Sequence, residues 1–217
     1  MYAEGIAKNL YRIRIPFEDL TTTVYLAAYD EGVALIDSAT YDADIDNYVL
    51  PALAELSIPR ERVKVLALTH DHGDHGGGLG RLAALFPDAR IAAIEPLPHA
   101  AYRPLVDGEL LLGHLQVLHL PGHTAHSAGY LDLRTGTLLS GDCLQLDGIG
   151  KYRNGIKNTA WYLDSIDKLR RLPITRIVAA HEFDPLGSIA EGEEAVARYL
   201  NTCAAIATKH TKTEDVT

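Results

Sequence analysis

The feature that most constrains this chain is a dense group of imidazoles and carboxylates placed directly behind an apolar run. Val65–Leu68 is followed by Thr69-His70-Asp71-His72-Gly73-Asp74-His75-Gly76-Gly77-Gly78, so three of the ten histidines lie within six residues. In an extended segment residues two apart project to the same side, which predicts that His70, His72 and Asp74 converge at the carboxyl end of a strand. His75 joins them only if the chain turns, and Gly73 with Gly76–Gly78 allows unusual dihedrals and close backbone approach there. Neutral imidazole and carboxylate are the ligand types of zinc and iron.

Three further segments bring single candidates to the ends of apolar runs. They are Pro121-Gly122-His123-Thr124, Ser140-Gly141-Asp142-Cys143 and Ala179-Ala180-His181-Glu182. His99, His114, His119 and His210 lack such spacing and read as ordinary histidines. Cys143 reads as a small buried thiol behind a strand, and Asp71 as a solvent-facing group or a hydrogen-bond partner of a ligand histidine.

The periodicity along the chain frames these segments. Leu10–Ile15, Thr22–Tyr29 and Gly32–Asp37 read as antiparallel strands. Asp42–Leu56 has helical spacing that Pro51 breaks or bends. Val63–Leu68, a helix over Gly77–Phe86 and a strand over Arg90–Ile94 then make a parallel βαβ step. The second half repeats the vocabulary: strands over Glu109–Leu120, Ser127–Leu133 and Thr137–Ser140, a helix over Thr159–Leu172, a strand over Arg176–Ala180 and a closing helix over Ile189–Thr208. Two halves of strands followed by helix bury their remaining sheet faces against each other as an α/β/β/α sandwich. The expected organisation is one domain over 1–208 and a flexible tail over 209–217.

Composition narrows the function. With 47% hydrophobic and 23% charged residues the chain can bury a substantial core. Its 20 basic against 29 acidic residues, a net charge of −9, oppose a nucleic-acid footprint and favour a small-molecule partner. Cys143 and Cys203 are too few for a disulfide framework. The start has no basic segment followed by an apolar core, and no run approaches about 18 apolar residues. A cytoplasmic protein with no membrane association is expected; the oligomeric state is left open.

The ordered set His-x-His-x-Asp-His, Pro-Gly-His-Thr, Gly-Asp and a late His resembles the metallo-β-lactamase superfamily over most of the chain. The resemblance implies the four-layer α/β/β/α sandwich of that family. It also implies one metal held by His70, His72 and His123, a second held by Asp74, His75 and His181, and Asp142 bridging. Two such ions roughly 3.5–4 Å apart would supply a shared hydroxide able to attack a carbonyl or phosphoryl centre, which Asp74 would orient or relieve of its proton. The ions implied are two zincs, with iron or manganese as alternatives.

The glyoxalase-II-like and lactonase branches make hydrolysis of a small ester, thioester or lactone the leading reading. Against glyoxalase II itself, Cys-Leu-Gln-Leu-Asp-Gly-Ile-Gly after Asp142 departs from its pattern. The alternatives are a phosphodiesterase or nuclease, which His-Gly-Asp-His resembles, and an iron-dependent redox enzyme such as a persulfide dioxygenase. His126 stands where family members often carry Gly, as an extra imidazole near the ligands or as a surface residue. The cationic stretch Gly150–Lys157 offers Tyr152, Arg153 and Lys157 to an anionic substrate group, or else forms a solvated loop.

Overall fold

Alternating side chains on short strands leave each sheet of this protein with two apolar faces. In the computed structural model, which describes residues 1–94, 96–97, 102–151 and 155–214, the strands form two sheets. The first runs in the order β1 (Glu4–Ala7), β2 (Leu10–Phe17), β3 (Leu20–Tyr29), β4 (Gly32–Ile36), β5 (Val63–Ala67), β6 (Arg90–Ala93) and β7 (Arg103–Pro104). The second runs β13 (Ile189–Glu191), β12 (Arg176–Ala179), β11 (Thr137–Gly141), β10 (Ala128–Asp132), β9 (Leu115–His119) and β8 (Leu110–Leu111). β4 to β7 are mutually parallel, as are β11 and β12; the other pairs are antiparallel.

On β3, Tyr25, Ala27 and Tyr29 face the second sheet, where they meet Val117, Tyr130, Leu139 and Val178. Val24 and Leu26, one residue out of phase, join the opposite layer with Ile45, Val49, Leu53 and Leu82 from the helical segments. The second sheet does the same through Leu131, Leu138 and Ile177, covered by Tyr162 and Ile166 of the helix Thr159–Leu169 and by Tyr199 and Leu200 of the helix Glu193–Glu214. The period-two alternation therefore produces the expected α/β/β/α layering.

Three buried tyrosines span the gap between the sheets, each with its hydroxyl satisfied on the opposite side. Tyr25 donates to the Val178 carbonyl at 3.1 Å, Tyr29 to Asp132 Oδ1 at 3.0 Å and Tyr130 to the Leu68 carbonyl at 2.6 Å. The last of these holds the chain just before the histidine cluster begins.

Several boundaries differ from those the sequence predicts. Pro51 does not interrupt the helical segment: Asp42–Asp44, Ile45–Val49 and Leu50–Glu55 follow without a gap, and Ile45–Val49 winds as a wider π-type turn just before the proline. The wider turn shifts the backbone bonding register where proline has no N–H to give. The single strand expected over Glu109–Leu120 is a hairpin, β8 and β9, folded at Leu112 and Gly113, both with positive φ. The closing helix expected from Ile189 is preceded by β13, and Gly192 (φ 88°) separates the two. That helix continues to Glu214 rather than ending at Thr208, so the expected tail is helical over 209–214; no glycine or proline stops it there. Among the described residues no helix is long and apolar enough to cross a membrane.

Candidate metal centre

β5 runs parallel to β4 and β11 to β12, and the loops leaving β5, β11 and β12 meet at one edge of the sandwich. There a Cβ on Gly141 would lie 2.6 Å from the Thr69 side chain, and Ala180 N–H donates to the Gly141 carbonyl at 3.3 Å. The chain leaves β5 through Thr69 and buried His70. His72, with φ −61° and ψ 150°, then precedes the short helix Gly73–Gly76 that carries Asp74 and His75. Asp74 thus reaches the cluster from a helical turn, not from the extended alternation that the spacing suggests. The glycines that follow act through contact rather than through unusual dihedrals. A Cβ on Gly77 would lie 2.1 Å from the Thr40 carbonyl oxygen, and one on Gly78 2.2 Å from that of Ser38.

All seven ligand candidates meet at this edge. His70, His72 and His123 form one group, Asp74, His75 and His181 another, and His70, His75 and Asp142 link them; within each group the ligand atoms lie within 4.8 Å of one another. His123 Nε2 is 3.1 Å from His70 Nε2 and 2.9 Å from His72 Nδ1. Asp142 Oδ1 is 3.4 Å from His75 Nε2 and 3.3 Å from His181 Nε2, while its Oδ2 is 3.6 Å from His123 Nε2. One carboxylate therefore presents an oxygen to each group.

The far nitrogen of four rings is tied to an acceptor, which decides what faces the centre. His123 Nδ1 donates to the Gly155 carbonyl at 2.7 Å and His181 Nδ1 to the Thr21 carbonyl at 2.9 Å. His75 Nδ1 donates to Asp37 Oδ2 at 2.8 Å. Thr69 Oγ1 gives its own proton to Asp37 and so accepts from His70 Nδ1 at 3.0 Å. Each ring thereby turns Nε2 inward, the arrangement by which outer partners orient metal-ligating imidazoles.

The electrostatics call for positive charge at the same point. Burial holds His70 well below its ordinary pKa and takes His72 down to about 4, helped by neighbouring imidazoles. His181 behaves oppositely: burial disfavours its charged form, but the charge of Asp142 and hydrogen bonds to Asp142 and Asp74 push it up to about 10. Burial likewise opposes ionisation of Asp142, yet His181 and His75 hold it well below the usual carboxylate range. Asp142 Oδ1 is buried and faces the Nε2 atoms of His181 and His75 at 3.3 and 3.4 Å. Ring nitrogens converging at 2.9–3.1 Å and a buried carboxylate set between the two ligand groups fit divalent cations with nitrogen and oxygen ligands.

A cavity of about 250 Å³ opens onto the cluster, lined by His72, Asp74, His123, Asp142 and His181 with Phe17, Glu18, Leu20, Gln145 and Phe183. Of the substrate-binding candidates, Tyr152 and Arg153 lie outside the described residues, as does His99. Lys157 is exposed and is not among the described residues lining the cavity; its backbone N–H donates to the Gly122 carbonyl at 2.8 Å, beside His123. His126 is half-buried beside Thr124 and takes no part in the ligand groups. Cys143 is buried, and burial pushes its thiol up. Two buried residues that the sequence does not single out hold the centre: Asp37, under His75 and Thr69, and Gln145, beside Asp142.

A sandwich of two sheets between helices, with histidines and carboxylates gathered at one edge, defines a metallo-β-lactamase-type architecture. The Lactamase_B model, metallo-beta-lactamase superfamily, matches residues 18–181, and the chain belongs to that superfamily. It is 36% identical over 139 residues to a hydroxyacylglutathione hydrolase of Vibrio cholerae serotype O1, covering 61% of this chain and 53% of that one. It is also 36% identical over 180 residues to a hydroxyacylglutathione hydrolase of Albidiferax ferrireducens, covering 78% and 66%. The chain thus spans between about half and two thirds of the length of these relatives. A metallo-beta-lactamase family protein of Thermus thermophilus shares the fold, with a TM-score of 0.75 at 24% identity over 96% of this chain and 82% of that one.

Proposed function

We propose that this chain is a dinuclear metallo-hydrolase, acting on a small ester, thioester or lactone. The observation that carries the reading is the position of Asp142 between two ligand groups, one oxygen toward each. In this reading His70, His72 and His123 hold one zinc, Asp74, His75 and His181 hold the other, and Asp142 bridges. When bound, such a pair of ions supplies Lewis acidity and lowers the pKa of a coordinated water to about 7.

The chain's own residues do the rest. Asp74, with 17% of its side chain exposed against 8% for Asp142, is the cluster carboxylate more open to the cavity. Against the effect of burial, the charge of His75 and hydrogen bonds to His181 and His75 keep its carboxyl ionised. Both imidazole contacts of Asp74 fall on Oδ2, so Oδ1 is the atom that orients the nucleophile by accepting its hydrogen bond. Phe17, Leu20 and Phe183 give the cavity an apolar wall against which an acyl group packs and from which water is displaced. Tyr152, Arg153 and Lys157 are the proposed contacts for an anionic part of the substrate.

The names of the relatives, hydrolases of an acylglutathione, support a thioester. The net charge of −9 supports a small molecule over a nucleic acid. The test is a screen of metal-defined protein against thioesters, lactones, phosphodiesters and β-lactams, with oxygen consumption followed in the iron-loaded form. Turnover of a thioester or lactone by the zinc form is expected. Turnover confined to phosphodiesters, or oxygen uptake in the iron form alone, overturns the reading.

A further inference from the structure

The stretch after Asp142, where the chain departs from the glyoxalase-II pattern, contains a residue that the proposed reaction does not use. Gln145 is 4% exposed, and its Nε2 donates to Asp142 Oδ2 at 2.9 Å. A carboxylate oxygen accepts, so the opposite amide orientation would set two acceptors against each other at that distance. The same Nε2 lies 3.3 Å from His123 Nδ1, which already gives its proton to Gly155. Gln145 Oε1 is buried without a hydrogen-bond partner.

An unpaired buried carbonyl costs stability, so packing alone favours an apolar residue here, and the bond to Asp142 offsets the cost. The backbone is fixed on both sides: Gln145 N–H donates to the hydroxyl of buried Tyr162 at 3.2 Å, and the Gln145 carbonyl accepts from Gly148 N–H at 2.8 Å. A carboxylate torsion is soft and roughly two-fold. Left to itself, Asp142 can turn both oxygens toward one ion. With Oδ2 held by Gln145, Oδ1 is left to His75 and His181.

We propose that Gln145 is a positioning residue that sets the torsion of Asp142, reserving one carboxylate oxygen for each ligand group and thereby sustaining the ion at Asp74, His75 and His181. The proposal rests on the dinuclear reading above. Its test is a zinc and cobalt(II) titration of metal-free wild type, Gln145→Met and Gln145→Glu, with the melting temperature of each metal-free protein. Met keeps the length and removes the unpaired carbonyl; Glu keeps the length and removes the donor.

In both variants the second ion is expected to bind about 10–100-fold more weakly, the scale for losing an outer partner of a metal ligand. The first ion should bind as in wild type, the cobalt spectrum should lose its second-site component, and the metal-free Gln145→Met protein should melt no lower than wild type. With the acyl substrate that turns over, kcat falls and KM holds. Wild-type affinity for both ions in either variant overturns the proposal. So does a lowered metal-free melting temperature with metal affinity intact, or failure of both variants to fold, since each assigns Gln145 to the fold. A wild type that takes up a single ion overturns the dinuclear reading itself, a result distinct from all of these.

Discussion

Asp37 Oδ2 lies 2.8 Å from His75 Nδ1 in a fully buried pair, and the other oxygen of the same carboxylate accepts from Thr69 N–H at 2.7 Å. One side chain at the end of β4 therefore steers the rings of His75 and, through Thr69, His70. Burial raises the pKa of Asp37 against the opposing pull of His75. Asp37→Asn keeps the size and one acceptor, so it should fold and lose about 10–100-fold in metal affinity. Asp37→Ala leaves the Thr69 and His75 donors unpaired and should cost a further ~3 kcal/mol of stability. Metal titration and denaturant unfolding of the two variants check this; wild-type metal affinity in Asp37→Asn would contradict it.

Metal uptake should depend on pH differently at the two groups. His181, raised to about 10, carries a proton through the neutral range, and a cation must displace it. Burial opposes the charged form of His75 in the same group, but Asp142 and Asp37 outweigh it and raise that ring too. Affinity there should therefore rise by more than about tenfold per pH unit between about pH 6 and 9, with proton release. His72, lowered to about 4, is already neutral there, so the first group should be nearly flat until the pH falls toward 4. Calorimetric titrations in buffers of different ionisation enthalpy separate the two. Identical slopes for both ions would contradict the assignment.

Tyr130→Phe removes the hydroxyl that reaches the Leu68 carbonyl and leaves that buried acceptor unpaired. A loss of about 1–3 kcal/mol in unfolding free energy is expected. Metal content should be retained, because Tyr130 touches none of the ligands. Unchanged stability would show that the tyrosines between the sheets act through packing alone.

Arg153→Ala tests the cationic stretch. If Arg153 reads an anionic group on the substrate, KM should rise by about tenfold with metal content unchanged. Unaltered kinetics would return the stretch to a solvated loop.

The site was more legible in the sequence than its supports. The seven ligand candidates each follow an apolar run or stand in the dense cluster, so periodicity and residue type suffice to find them. Asp37 stands 38 positions from the His75 it orients. Its one local sign is a carboxylate closing the wholly buried strand Gly32–Ile36. Gln145 looks like an ordinary polar residue until Asp142 Oδ2 is placed beside it. Asp37 acts through a pairing made only when distant parts of the chain meet, whereas Gln145 pairs three residues away, across a loop whose path no periodicity declares. The layers were legible for a different reason, since β3 and β10 are short apolar runs buried on both faces, as strands between two layers must be. The hairpin at Leu112 and Gly113 was hidden because a leucine occupies a turn position with φ 48° inside an apolar run. The short edge strand Ile189–Glu191 carries too few residues for its period to separate from that of the helix behind it.

The central claim is that two cations meet at Asp142. Elemental analysis of purified wild-type protein and Asp142→Ala tests it most directly. About two metal ions per chain are expected in wild type, and a clear loss of metal together with activity in the variant. A full metal complement in Asp142→Ala, or no metal bound by wild-type protein supplied with zinc, would contradict it.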